Sequence, residues 1–123
     1  MPAENRDADA EARDAYVEAV LQLVECIPAG RVTTYGAIAD IVGTGGPRQV
    51  GRALSLHGAV VPWWRVVRAD GSLPPSHQRG ALEHYRGEGT ALRGDFSDAA
   101  SLRVDLLRAW WQPEQAAQAA QPG

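Results

Sequence analysis

The 123-residue sequence contains no lysine and only one cysteine, Cys26. A single cysteine excludes an intramolecular disulfide and a cysteine-rich zinc site. The three histidines have no spacing typical of a metal site, so we expect neither a metal nor another cofactor. No apolar run approaches the roughly 20 residues of a membrane helix, and the polar, acidic N-terminus is unlike a signal peptide. These absences predict a cytoplasmic protein with no membrane partner.

Because lysine is missing, arginine supplies all the strongly basic side chains, and it is concentrated in the middle of the chain. Residues 31–86 contain seven arginines and three acids, whereas residues 1–30 contain seven acids and two arginines. The net charge of −3 therefore conceals a basic central segment. A local basic surface is typical of phosphate contact. Ordinary surface arginines in an arginine-rich proteome explain the same charge pattern equally well.

The hydrophobic pattern predicts a single domain at residues 11–111. It lies between a disordered acidic tail at residues 1–10 and a flexible C-terminal tail at residues 112–123. Apolar residues at helical spacing predict a first helix over residues 11–27, ended by Pro28 and Gly30. Nothing in the pattern requires a dimer, so we expect a monomer. The apolar side chains expected to pack the C-terminal segment onto the core are Leu106, Leu107, Trp110 and Trp111.

Two short helices separated by a glycine-containing turn are predicted in the basic segment. Thr34 is a suitable N-cap for a helix over residues 35–42, and Gly43 can end it with positive φ. Pro47 fits the first position of a second helix that runs to about residue 56. This arrangement predicts a helix-turn-helix, although such helices can also be scaffolding. The exposed positions of the second helix, available for DNA contact, are Arg48, Gln49 and Arg52.

The rest of the domain is predicted to combine short extended segments with one more helix. A dense apolar segment at residues 60–67 is followed by the turn signal Asp70-Gly71, so we expect a short strand or loop pair there. A helix fits Gln78–Glu88 and would be stopped by Gly89. The expected fold class is mainly α with short β elements.

Three segments, taken in order, resemble the C-terminal DNA-binding domain of the O6-alkylguanine-DNA alkyltransferases. They are residues 27–36 (IPAGRVTTYG), residues 48–54 (RQVGRAL) and residues 61–67 (VPWWRVV). The resemblance covers about residues 13–92. It implies a winged helix-turn-helix-like alkyltransferase DNA-binding domain.

The third segment departs from the family at the position that carries the chemistry. In the alkyltransferases it reads Pro-Cys-His-Arg-Val, and the cysteine accepts the alkyl group from a flipped guanine. Here Trp63 and Trp64 occupy the cysteine and histidine positions, a pattern that resembles the alkyltransferase-like proteins. The resemblance therefore implies a protein that is not an enzyme. Cys26 lies outside the motif, and we expect it to pack as a small apolar residue.

The resemblance also implies how the protein would reach a base that is buried in a duplex. Such a base must be turned out of the helix, at a cost of a few kcal/mol. Arg48 matches the arginine that enters the stack, Tyr35 matches the tyrosine that promotes rotation of the nucleotide, and Gly51 would let the helix approach the minor groove closely. The complete set of predicted DNA-binding residues is Thr34, Tyr35, Arg48, Gln49, Gly51 and Arg52.

A lesion pocket is implied around Trp63, whose indole offers a flat apolar wall and no nucleophile. Arg65 would hold the pocket loop through hydrogen bonds. Relatives place a lesion-stacking arginine about a dozen residues after the pocket tryptophan, where this chain has Ser76 and His77, either of which could contribute instead. The predicted pocket residues are Pro62, Trp63, Arg65, Val66 and Ser76.

These features favour a non-enzymatic sensor of DNA damage. It would bind double-stranded DNA containing O6-alkylguanine, flip the base and flag it for nucleotide excision repair proteins, so we expect it in the cytoplasm and on the nucleoid when bound to DNA. A winged-helix DNA-binding module or regulator without lesion specificity is the alternative. A third hypothesis is an alkyltransferase that uses Cys26 as its nucleophile.

Overall fold

The structure, a computed structural model, describes residues 2–94 and 101–112, with side chains described from residue 8 onward. These residues form five α-helices and four two-residue strands, joined in part by 3₁₀ turns. The helices are α1 (Pro2–Glu25), α2 (Tyr35–Val42), α3 (Pro47–His57), α4 (Gln78–Glu88) and α5 (Leu106–Ala109). The strands are β1 (Thr33–Thr34), β2 (Val66–Val67), β3 (Leu92–Arg93) and β4 (Arg103–Val104).

The first helix is longer than its hydrophobic periodicity predicts. Helix α1 begins at Pro2, so residues 2–10 are helical and not the disordered tail expected from their charge. Three of these nine residues are alanines, which have the highest helix propensity of any residue. The predicted C-terminal tail falls, apart from Gln112, outside the described residues and stays a prediction.

The predicted helix-turn-helix is confirmed by α2 and α3. The Thr34 hydroxyl accepts a hydrogen bond from the Ala37 amide at 3.1 Å, as expected of an N-cap. Gly43 ends α2 with a φ of 87°, and Pro47 is the first residue of α3. Because these signals are local, the sequence alone specified both ends of the turn.

The short strands connect distant parts of the chain. β1 pairs in parallel with β2, with Thr33 opposite Val66, so the start of α2 lies beside the end of the tryptophan-containing segment. The expected strand or loop pair around Asp70-Gly71 is a loop turn. The Arg68 amide donates to the Ser72 carbonyl at 2.9 Å across this turn, and β2 pairs with β1 and not with the segment after Gly71. An antiparallel pair that sequence analysis missed, β3 with β4, follows α4.

Two buried clusters form the core. One joins α1, α2 and α3, and the other lies beneath α4 and the later strands. Trp111 is buried as predicted, but Leu107 is 97% exposed, because α5 turns Leu106 and Ala109 inward instead. Cys26 is also exposed, contrary to expectation, since Ile27 takes the buried position after α1. Within the described residues, no helix combines the length and hydrophobicity needed to cross a membrane.

Candidate nucleic-acid interface

A groove of about 900 Å³ lies between the helix-turn-helix and the tryptophan-containing segment. We call it the Trp63 groove, and we call the 3₁₀ helix Trp63–Arg65 the Trp63 turn. One wall comes from α2 and α3, and the other from the Trp63 turn and the loop before α4. The residues that line this groove include Tyr35, Arg48, Gly51, Trp63, Arg68, Pro74, Ser76 and His77.

The helical wall brings together the three residues expected to flip a nucleotide. Tyr35 is the first residue of α2, Arg48 is the second residue of α3, and Gly51 follows about one turn later. A Cβ atom at Gly51 would lie 4.0 Å from the Tyr35 ring, so the ring passes close to the α3 backbone. Arg48 is exposed, which leaves its guanidinium accessible from solvent.

Arg68 adds a second guanidinium to this groove, and sequence analysis did not assign it a role. It follows β2 directly, and an exposed arginine after two buried valines is the signal that could have identified it. Burial raises the pKa of the Tyr35 phenol, and the nearby charge of Arg68 lowers it in part. The phenol therefore stays neutral at physiological pH and can donate a hydrogen bond to a phosphate.

The opposite wall is built around the half-buried Trp63 ring. His77 lies beside it, with ring centroids 5.2 Å apart and planes inclined by 54°. A Cβ atom at Gly80 would lie 3.6 Å from Trp63 Cη2, so the indole also packs on the start of α4. Ser76, predicted as a pocket residue, lines the groove and is exposed, and its Oγ lies 3.3 Å from His77 Nδ1.

Trp64 packs behind the Trp63 groove and does not line it. Its ring stacks on His84 at a centroid distance of 3.5 Å with planes 3° apart, and it meets Trp63 edge-on at 5.6 Å. Its Nε1 donates to Glu88 Oε1 at 3.0 Å. Trp64 therefore supports the position of Trp63 from the α4 side.

Arg65 anchors the Trp63 turn through its guanidinium. Its guanidinium forms an ion pair with Glu88 and donates to the Ile27 carbonyl at 2.8 Å. Glu88 also accepts a hydrogen bond from the Gly30 amide at 3.1 Å. Burial tends to raise the pKa of Glu88, but the hydrogen bonds from Arg65, Gly30 and Trp64 outweigh it and hold that pKa below its ordinary range.

The network around Glu88 joins three segments that are far apart in sequence: the turn after α1, the Trp63 turn and the end of α4. Sequence analysis missed Glu88, because a glutamate at a helix end has no local pattern that marks it as a partner of a distant arginine. Tyr85, one turn earlier in α4, adds a hydrogen bond from its hydroxyl to the Trp64 carbonyl.

Several predicted site residues lie outside the Trp63 groove. Thr34 caps α2, and the side-chain Oε1 of Gln49 accepts a hydrogen bond from the Gly46 amide at 2.8 Å, which caps α3. Gln49 and Arg52 line a separate groove of about 780 Å³ between α1 and α3. Pro62 precedes the Trp63 turn.

Val66 is fully buried in the core, so its expected place in the pocket wall is corrected. As a β2 residue it pairs with β1, which turns its side chain into the cluster beneath α2 and α3. Among the described residues, no group of histidines, cysteines and acids is arranged to hold a metal ion.

Comparison with known proteins identifies the family of this domain. Residues 15–88 match the family model described as the 6-O-methylguanine DNA methyltransferase, DNA binding domain. A DNA base-flipping protein of Escherichia coli is 36% identical over 107 residues, which cover 82% of this chain and 78% of that protein. Alkyltransferase-like protein 1 of Schizosaccharomyces pombe is 43% identical over 63 residues, which cover 49% of this chain and 58% of that protein.

Solved structures show the same similarity in three dimensions. Atl1 of Schizosaccharomyces pombe, in complex with damaged DNA containing O6-carboxymethylguanine, superposes with a TM-score of 0.70 at 28% identity. The superposition covers 81% of this chain and 97% of that chain. A second complex of the Schizosaccharomyces pombe protein with DNA gives a TM-score of 0.69 at 31% identity. The resemblance seen in the three sequence motifs is thus confirmed, and the chain belongs to the 6-O-methylguanine-DNA methyltransferase family, whose DNA-binding domain it contains.

Proposed function

We propose that this protein binds duplex DNA containing O6-alkylguanine, turns the damaged nucleotide out of the helix and holds its base in the Trp63 groove without removing the alkyl group. The observation that carries the proposal is the groove itself. It unites Tyr35, Arg48 and Gly51 on one wall with Trp63 on the other. Its volume of about 900 Å³ falls within the range of sites that take small organic groups.

The helical wall supplies what nucleotide flipping requires. Turning out a base costs a few kcal/mol of lost stacking and pairing, least for a damaged pair. Arg48 is exposed near the N-terminus of α3, where its planar guanidinium can enter the stack and replace the lost base. Tyr35 and Arg68 line the same groove and can bind the displaced phosphate, the phenol as a neutral donor and the guanidinium as a cation.

The opposite wall receives the base. Stacking of a base on an aromatic side chain contributes roughly 1–3 kcal/mol. The Trp63 ring is half-buried and braced by Trp64 and Gly80, so its orientation is fixed before DNA arrives. A preformed wall reduces the ordering cost of binding.

We expect no alkyl transfer because no nucleophilic side chain stands where the alkyl group would be accepted. Trp63 stands at the position that resembles the family's acceptor cysteine, and an indole offers no thiolate. Cys26 is exposed just after α1 and is not among the residues that line the Trp63 groove. We infer that the bound lesion is marked and not repaired, and that nucleotide excision repair proteins act on it afterwards. The names of the relatives, which mention base flipping and an alkyltransferase-like protein, support this proposal.

A titration of two matched duplexes tests the proposal. One contains a single O6-methylguanine and the other contains guanine at the same position. We expect clearly tighter binding to the damaged duplex, and Arg48→Ala should weaken that binding by at least about tenfold. Arg86→Ala, an exposed arginine on α4, is the matched control and should bind like the unaltered protein.

Equal affinity for the two duplexes would contradict lesion binding and favour the alternative of a DNA-binding module without lesion specificity. Mass spectrometry after incubation with the methylated duplex tests the other half of the proposal. The protein mass should not change. A methyl adduct on Cys26 would show that the protein is an alkyltransferase.

A further inference from the structure

Another groove, of about 490 Å³, lies between α1 and the 3₁₀ helix Gly58–Val60, which follows α3. We call it the Val60 groove. The residues that line it include Asp14, Val17, Glu18, Leu21, Glu25 and Val60. Among the described residues, none lines both this groove and the Trp63 groove, so the proposed DNA site gives it no role.

The Val60 groove contains an apolar surface that solvent reaches. Val17 and Leu21 lie four residues apart on the same face of α1, and both side chains are half-buried. Val60 lines the same groove and is 83% exposed. A single exposed valine is ordinary on a protein surface, but here it extends a concave apolar surface. A partner that covered this surface would remove apolar area from water, which favours binding.

The Val60 groove is also anionic. Asp14, Glu18 and Glu25 line it and are exposed, and no arginine is among the described residues that line it. Glu18 accepts a hydrogen bond from Gln22 Nε2 at 3.3 Å. Within the part of the chain whose side chains are described, none of the three acids forms an ion pair. Their negative charge is therefore available to a partner.

The position of these acids does not favour α1 itself. Asp14 and Glu18 are four residues apart, where like charges destabilise a helix. Glu25 is the last residue of α1, and the last turn has no basic side chain, although the C-terminal end of a helix favours a cation. Helix stability therefore does not account for this pattern of charge, whereas cations bound in the groove would offset the repulsion.

We propose that the Val60 groove docks a basic, amphipathic α-helix of a partner protein. The apolar face of that helix covers Val60 and the apolar pair on α1, and its basic side chains pair with the three acids. Amphipathic helices commonly bind apolar grooves in this way. The stretch from Asp14 to Glu25 is about 17 Å long, the length of roughly three helical turns. This inference goes beyond the proposed function, since it names a protein-docking site that does not require bound DNA.

The charges of the Val60 groove exclude other occupants. The acids repel phosphate, so DNA bound in the Trp63 groove leaves this surface free. Gly58 and Ala59 line the Trp63 groove, whereas Val60 lines this one, so the two sites meet at one short segment. A second copy that docked through the same groove would bring acids against acids. Residues 95–100 and 113–123 contain no basic side chain, so these segments of the chain lack the cations that the groove would pair with.

Fluorescence anisotropy with a synthetic peptide tests the proposal in the absence of DNA. The probe is a labelled peptide of about 14 residues, all leucine or lysine, with the leucines at helical spacing. We expect it to bind saturably to the unaltered protein. A peptide of the same pattern with glutamate in place of every lysine should not bind, because its charge is repelled by the acids of the groove.

Glu25→Lys tests the charge of the groove. It should weaken binding of the lysine peptide about fivefold, the size of one exposed ion pair. Because a cation suits the end of α1, the same variant should unfold at an equal or higher denaturant concentration, so a loss of binding would not come from unfolding. Glu83→Lys is the matched control: it makes the same change of charge at an exposed position of α4 that does not line the groove, and it should bind the peptide like the unaltered protein.

Val60→Ser tests the apolar contact and leaves the charge unchanged. It should weaken binding of the lysine peptide about fivefold, because the peptide no longer buries the valine methyl groups. Leu107→Ser is the matched control, since Leu107 is 97% exposed and does not line the groove. Val60→Ser should bind the duplex containing O6-methylguanine like the unaltered protein, because Val60 does not line the Trp63 groove.

The proposal is overturned if the lysine peptide does not bind. It is also overturned if Glu83→Lys weakens binding as much as Glu25→Lys, since net charge alone would then attract the peptide. A dimer in sedimentation equilibrium that Val60→Ser dissociates would show that the groove holds a second copy instead. Because the peptide is measured without DNA, equal affinity for damaged and undamaged duplexes would refute the proposed function and leave this docking site standing.

Discussion

Replacing Glu88 by alanine removes the carboxylate that joins the turn after α1, the Trp63 turn and the end of α4. Arg65 loses its ion-pair partner, and both Trp64 Nε1 and the Gly30 amide lose their hydrogen-bond acceptor. The Arg65 and Glu88 side chains are only 16% and 14% exposed, so water replaces the lost carboxylate poorly. We therefore expect a much larger effect than that of an ordinary surface ion pair.

Removing one partner of a fully buried ion pair costs about 3–5 kcal/mol, because the remaining charge is left without compensation. Since both side chains keep a little contact with solvent, we expect a loss of about 3 kcal/mol in the free energy of unfolding for Glu88→Ala. For a chain of this length, that corresponds to a decrease in Tm of roughly 10 °C.

Chemical and thermal unfolding, followed by circular dichroism, measure this loss. Glu83→Ala is the matched control, because Glu83 is exposed on the same helix, and it should change the free energy of unfolding by no more than about 0.5 kcal/mol. In a double-mutant cycle, Arg65→Met should cost much less when Glu88 is already alanine. The reasoning is refuted if Glu88→Ala and Glu83→Ala unfold at the same denaturant concentration.

Three further predictions follow from single positions. The pKa of Glu88 is lower in the folded protein than the ordinary value of about 4.3, so its stabilising contribution is present above that pH and is lost as the pH falls further; the free energies of unfolding of the unaltered protein and Glu88→Ala should therefore approach each other as the pH falls through the acidic range. Gly71→Ala should lower stability by about 2–4 kcal/mol in urea titrations, because Gly71 has a φ of 84° and a Cβ there would collide with the Val104 carbonyl. Gly87→Ala, on an open face of α4, should instead raise the free energy of unfolding by about 0.5–1 kcal/mol. A lower stability of Gly87→Ala would contradict the argument that the space around each glycine decides the effect. Gly51→Leu should keep the helical circular dichroism signal but reduce DNA affinity by about tenfold, since its side chain would project into the Trp63 groove beside Tyr35; unchanged affinity would show that DNA does not approach this part of α3.

The local elements of the fold could be predicted because their signals are local. The Thr34 hydroxyl caps α2, Gly43 ends it, and Pro47 begins α3, all within one turn of the backbone groups concerned. The bounds of α4 were likewise predicted correctly, since Gly89 ends it with a φ of 72°. Residues 2–10 were misjudged because their charge suggested disorder, whereas in the structure they continue the amphipathic segment after them and form the first turns of α1.

The candidate site also contains some residues that the sequence predicted and others whose position it could not predict. Sequence motifs predicted that Tyr35, Arg48 and Gly51 face DNA, and in the structure these three residues line one groove. Within the apolar segment around Trp63, the motifs could not show which residues face the groove and which are buried in the core. Trp63 faces the groove, whereas Val66, three residues later, is core, and only the β1–β2 pairing decides which side each faces.

The sequence by itself determined the family, the helix-turn-helix and the identity of the aromatic residue at the centre of the pocket motif, because these depend on residue types at fixed short spacings. Tertiary structure alone brought His77 beside Trp63, joined Glu88 to Arg65 and added Arg68 to the groove. Each of these contacts forms when β2 pairs with β1 and α4 folds back over the Trp63 turn. Such contacts depend on where distant segments meet, and no pattern within either segment encodes that meeting.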